Sequence, residues 1–122
     1  MEDTIQRVLG VSPAVRYVAI YHGGELSSAA RPDLASASSS ESDKYEELLV
    51  NPTLLNLARQ RGNIDCGGLR YLLIRYGSFF VVVLPLDQGH VTVGIEPSVD
   101  PLPFVPRIAD AVTSLRSSQV AV

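Results

Sequence analysis

The chain has 122 residues, of which 10 are basic and 13 acidic, with a formal net charge of −3. That length suits one domain spanning 1–122 with enough apolar content for its own core. With Lys44 the sole lysine and the arginines scattered, no basic run or aromatic-interleaved basic stripe is present, so nucleic acid is not an expected partner. The N-terminus begins acidic and lacks the apolar core of an export signal. No apolar run nears the roughly 20 residues that cross a bilayer. A cytoplasmic protein without membrane insertion is expected, and the single Cys66 excludes an intrachain disulfide.

Residues 4–9 read as a short helix with Ile5, Val8 and Leu9 on one face, ended by Gly10 and Ser12-Pro13. Residues 15–22 alternate as a strand, with Tyr17, Ala19 and Tyr21 on one side and Arg16, Val18 and Ile20 on the other. After Gly23-Gly24, residues 25–30 return as a short, Ser/Ala-rich strand suited to a sheet edge. The composition of 31–42 predicts a mobile loop. Ser42 or Asp43 then caps a helix carrying Tyr45, Leu48 and Leu49, with Glu46 and Glu47 near its positive end. Asn51-Pro52 predicts a break and a restart, with Asn51 as the new cap. Leu54, Leu55, Leu57 and Ala58 form the apolar side of the second helix, and Gly62-Asn63 is its stop.

Residues 69–76, 79–86 and 90–96 are three β-rich runs separated by Gly77-Ser78 and Asp87-Gln88-Gly89. Connections this short permit only hairpins, so the three form an antiparallel meander, with glycine φ freedom expected at Gly77 and Gly89. A final helix over 104–116 aligns Phe104, Ile108, Val112 and Leu115 in one stripe. The tail at 117–122 is expected to fray. The fold class is α+β: a single five-stranded antiparallel sheet, built from a hairpin and a meander, with flanking helices.

Candidate chemistry is sparse. GNIDCGG lacks the Lys-Ser/Thr of a phosphate loop and precedes a strand, so it reads as a turn. His22 and His90 read as polar strand ends, and with Cys66 alone they do not make a zinc set. No catalytic residue, metal site or cofactor is assigned. Cys66 with a histidine and Asp65 or Asp87 is the only conceivable nucleophile set, and it lacks a local signature. Glu46, Glu47 and Asp100 are accounted for by helix-start and turn roles. Strand 69–76, if outermost in the meander, leaves an unpaired edge, and Arg70, Tyr71, Leu73, Arg75 and Tyr76 place arginine, aromatic and apolar groups along it.

Three strings, VRYVAIYHGGELSSAA, LRYLLIRYGSFFVVVLPL and HVTVGIEPSVDPLPFVPRIADAV, together with the element order, resemble the roadblock, or dynein light-chain, family with its profilin-like αββαβββα fold. In that family the middle helix runs unbroken, unlike the break expected at Asn51-Pro52. The resemblance implies a non-catalytic homodimer whose surface comes from the middle helix and third strand. Mapped here, that surface holds Leu54, Leu55, Leu57, Ala58, Arg70, Tyr71, Leu73 and Arg75. It further implies regulation or scaffolding, through a Ras-like small GTPase or a motor or signalling complex. The competing expectation is a small-ligand sensor of PAS-like architecture, its pocket lined by residues such as Tyr17, Phe80 and Val82.

Overall fold

The computed structural model describes residues 1–32 and 40–115. Its five strands are β1 (Val15–His22), β2 (Glu25–Ala30), β3 (Leu72–Arg75), β4 (Phe80–Leu86) and β5 (Gly89–Ile95). They form one antiparallel sheet in the order β2-β1-β5-β4-β3. The meander therefore docks through its last strand onto the first strand of the hairpin, leaving β2 and β3 as the edges.

Strand alternation divides the interior in two. Val18 and Ile20 of β1, Val82 and Leu84 of β4, and Val91, Val93 and Ile95 of β5 face one way. There they meet Ile5 and Val8 of helix α1 (Glu2–Leu9) and Ile108 of α4 (Val105–Ala111). On the opposite face Val81, Val83, Leu72, Ile74 and Phe79 pack with Leu69 and with Leu55 of a long helix. Between Val15 and Tyr17 the β1–β5 register slips. This bulge overrides strict alternation: Arg16 leaves the side of Val18 and Ile20, and its guanidinium lies 5.3 Å from the centroid of Phe79 in the second cluster. Arg16 also binds Glu96 at 2.9 Å.

Arg31, just past β2, holds the α1–β1 connection shut. Its guanidinium donates to the carbonyls of Val15 at 2.6 Å, Ser12 at 2.9 Å and Leu9. The Leu9 carbonyl is one that the end of α1 leaves without an intrahelical donor, and a cation there complements the helix dipole.

The long helix departs most from expectation. It starts at Ser40, so Ser42 and Asp43 are internal and residues 40–42 are helical; 33–39, the rest of the predicted loop, and the tail 117–122 lie outside the described residues. Three segments follow without interruption: α2 (Ser40–Tyr45), a π-helical turn (Glu46–Val50) and α3 (Asn51–Asp65). Asn51 has helical φ/ψ of −66° and −43°, so it caps nothing and no break occurs at Pro52. In a regular α-helix the proline ring collides with the carbonyl four residues back and supplies no hydrogen there. The π turn removes the conflict by widening the backbone, its end marked by the Asn51 N–H bonding Glu46 O five residues back. The Thr53 hydroxyl satisfies Leu49 O at 2.6 Å.

Helix α3 passes the expected stop at Gly62 and ends at Asp65, where Gly67 (φ 79°) and Gly68 (φ 88°) reverse the chain. The run 69–76 is only partly strand, because ladder pairing begins at Leu72 and ends at Arg75. The β3–β4 turn closes through Tyr76 N–H to Phe79 O at 2.9 Å without a positive φ at Gly77. The expected closing helix is segmented, with 3₁₀ turns at Leu102–Phe104 and Thr113–Leu115 around the shorter α4. No helix among the described residues is long and apolar enough to cross a membrane.

Candidate functional site

Between the long helix and β5 lies a buried polar cluster. His90 and Thr92 sit two apart on β5 and so share the face opposite Val91 and Val93. Glu47 and Asn51 sit four apart on the helix above them and share its inner side. All four are buried, Glu47 completely and His90 to within 2%. Glu47 Oε1 accepts from Thr92 Oγ1 at 2.6 Å, His90 Nε2 at 2.8 Å and Asn51 Nδ2 at 3.3 Å. Asn51 Nδ2 also donates to Thr92 Oγ1 at 3.0 Å. A carboxylate oxygen only accepts, which places the proton of this contact on Nε2. Three donors converge on Oε1, while Glu47 Oε2 and Asn51 Oδ1 are buried without a hydrogen-bond partner among the described residues, and the cluster pins the π turn to a central strand.

This overturns the sequence reading of His90 as a polar strand end and of Glu47 as a helix-start charge. His22, at the end of β1, is half-buried and closer to that reading. Glu46, adjacent to Glu47 on the helix, is pushed up to about 7 by burial first and then by the charges of Glu47 and Asp43. Burial, followed by the charges of Glu46 and Glu47, raises Tyr76, and burial followed by Glu47 raises the Tyr17 hydroxyl.

A stability dependence on pH follows. With its folded value raised from 4.5 to about 7, Glu46 is held protonated by the native state after the unfolded chain has released its proton. Native stability accordingly falls as pH rises from the ordinary carboxylate range through about 7, then levels off. Glu46→Gln is expected to remove this component. Urea midpoints at mildly acidic and mildly alkaline pH should lie closer together in the variant than in the wild type, and an equal wild-type drop in the variant would contradict the assignment.

The conceivable nucleophile set is not assembled. Cys66 is exposed and donates to Asp65 Oδ1 at 3.3 Å, whereas His90 is engaged by Glu47. Asp65 is held below the usual carboxylate range by Arg61, at 2.7 Å, and then by Cys66. Asp100 accepts from Leu102 N–H at 3.1 Å as a turn residue, and Asp87 is exposed in the β4–β5 turn. Among the described residues no group of three or more His, Cys, Asp or Glu side chains is placed to hold a metal ion. Tyr17, Phe80 and Val82 do not share a pocket, because Phe80 and Val82 pack toward α1 and α4 while Tyr17 lies out of phase with Val18 on the other face.

The expected interface residues divide. Leu55 is 3% exposed and belongs to the helix–sheet core, and Ala58 is half-buried. Leu54 and Leu57 face outward, Leu57 being 60% exposed, and Ile64, two turns further along the same flank, is 75% exposed. Leu48 and Leu49 on the π turn are also exposed. Sequence reasoning singled out neither Ile64 nor Leu49 for a surface, although their helical spacing was visible. Strand β3 is an edge as expected, exposing Leu73 and Arg75, with Arg75 stacked 5.0 Å from the centroid of Phe80. Arg70 and Tyr71 are exposed too, but they precede the strand.

No family model matches the sequence, and no curated protein matches it. Comparison with solved structures finds a Roadblock/LC7 domain from Streptomyces avermitilis with a TM-score of 0.72 and 14% identity, covering 93% of this chain and 92% of that one. The unbroken middle helix, restored by the π turn, removes the main departure from the roadblock pattern. The chain has the Roadblock/LC7 fold.

Proposed function

We propose that the protein is a non-catalytic, cytoplasmic regulatory or scaffolding module that works as a homodimer. The observation that carries this reading is the row of outward leucines on the long helix, together with a β3 edge that no strand among the described residues covers. Large apolar side chains grouped on one flank are costly in water, and a second copy placed against them removes that cost. The β3 edge offers its free backbone groups as a second element for a partner copy. The resemblance to roadblock proteins supports this use of helix and third strand, and extends it to a Ras-like small GTPase as the regulated partner.

Light scattering on the purified chain is expected to give twice the monomer mass. Leu57→Glu should shift the mass to monomer at the same concentration while leaving the far-ultraviolet circular dichroism unchanged, since Leu57 contributes nothing to its own core. A wild-type mass that stays monomeric over a wide concentration range would overturn the dimer. The GTPase reading is tested by nucleotide release from Ras-like GTPases with and without the wild-type protein.

A further inference from the structure

A cleft of about 240 Å³ opens beside the polar cluster, lined by Tyr21, Pro52, Leu55, Asn56, Arg59 and His90 together with Gly89. We infer that this cleft binds a short aliphatic carboxylate. At about 30 Å³ per liquid water, its volume corresponds to roughly eight waters, which suits a small organic acid and is below the size of drug-like sites.

The lining is divided by chemistry. Pro52, Leu55 and the Tyr21 ring form an apolar wall, and Tyr21 stacks on His90 with centroids 5.9 Å apart. Asn56 and Arg59 supply donors, and no lining residue is an aspartate or glutamate. In a chain of net charge −3, the one lysine, arginine, aspartate or glutamate in the lining is thus an arginine. Arg59 also stands apart from most other arginines. Arg7, Arg16, Arg31, Arg61, Arg75 and Arg107 each hydrogen-bond a carbonyl, hydroxyl or carboxylate of the fold, whereas Arg59 makes no such bond among the described residues. Its planar fork matches a carboxylate in two parallel hydrogen bonds. The buried Glu47 carboxylate behind His90 takes its three donors on Oε1, while its Oε2 has no hydrogen-bond partner among the described residues, Arg59 included.

Helix geometry keeps the site independent of dimerisation. Pro52, Asn56 and Arg59 are four and three apart and share one flank of α3, while Leu54, Leu57 and Ile64 lie on the other. A partner on the leucine flank leaves the cleft open.

The test titrates the full chain, labelled with nitrogen-15, with butyrate and with butyramide, its neutral amide of similar shape. Butyrate is expected to produce saturable amide shifts at Tyr21, Leu55, Gly89 and His90, with butyramide at least about tenfold weaker. Arg59→Ala should weaken butyrate by about tenfold or more, Arg59→Lys should fall between, and Leu57→Glu should leave the titration unchanged. Arg59 is exposed, and a retained dispersed spectrum identifies a folded variant. No saturable response to butyrate, equal binding of butyramide, or an Arg59→Ala titration identical to wild type each overturns the site without touching the dimer reading.

Discussion

Glu47→Ala is expected to cost about 3–5 kcal/mol, a large share of the roughly 5–15 kcal/mol that holds a domain together. The loss goes beyond one hydrogen bond. Removing the carboxylate leaves the His90 Nε2 proton, the Thr92 hydroxyl and the Asn51 amide buried together without their common acceptor. Each unsatisfied group carries its own desolvation penalty. The urea midpoint, followed by far-ultraviolet circular dichroism, should fall by about a fifth or more of its wild-type value, given that total. A four-fold replacement, Glu47→Leu with His90→Leu, Asn51→Leu and Thr92→Val, should regain much of the loss, because an apolar set leaves no buried donor behind. If Glu47→Ala behaves like a surface substitution, the cluster does not anchor the helix.

Gly89→Ala is expected to be the most damaging small change, costing about 4 kcal/mol or preventing folding. A Cβ at this position would stand 1.7 Å from the carbonyl oxygen of Tyr21, 2.7 Å from its carbon and 3.1 Å from His22 Cα. These are backbone atoms, so no side-chain rotation relieves the overlap. The φ of 158° adds a conformation that residues with a Cβ rarely adopt. Gly89 pairs with both His22 and Leu86, so displacement would open β5 from β1 and β4 at once. Gly94→Ala is the matched control on the same strand: its nearest neighbour would be Tyr17 Cβ at 3.5 Å, an ordinary contact. Thermal unfolding should place Gly94→Ala within a few degrees of wild type and Gly89→Ala far below it, and similar melting temperatures for the two would refute the steric argument.

The sheet was legible because its information is local. Alternation along 15–22 and the short connections around 80–95 specify antiparallel partners without reference to the rest of the chain. Edge status for β3 followed from the same meander. The helix was misread at Pro52, where proline rules assume α geometry and the chain adopts another. The polar cluster was half visible. Glu47 and Asn51 have helical spacing, and His90 and Thr92 share a strand face, but only the docking of helix over β5 brings the two pairs together. Leu55 and Leu57 likewise looked alike as neighbours on an apolar side, and their separation into core and surface depends on the direction from which the sheet meets the helix. Leu69 to Tyr71 have strand composition yet stay outside the ladder, since the glycine reversal after α3 delivers the chain to β4 only at Leu72.

The π turn also acts as a phase shifter. A helix advances about 100° per residue, so a turn that takes up an additional residue rotates everything after it relative to everything before it. Glu46–Val50 thereby sets the azimuth at which Asn51 and Leu55 face the sheet, and with it the azimuth of Leu57 and Ile64 on the outside and of Arg59 at the cleft. Deleting one residue from this segment would preserve the composition of every surface and misalign all three, whereas the same deletion in an exposed loop would leave them in place. The five residues of this turn thus serve as the angular reference from which the core, the outer flank and the cleft are all indexed.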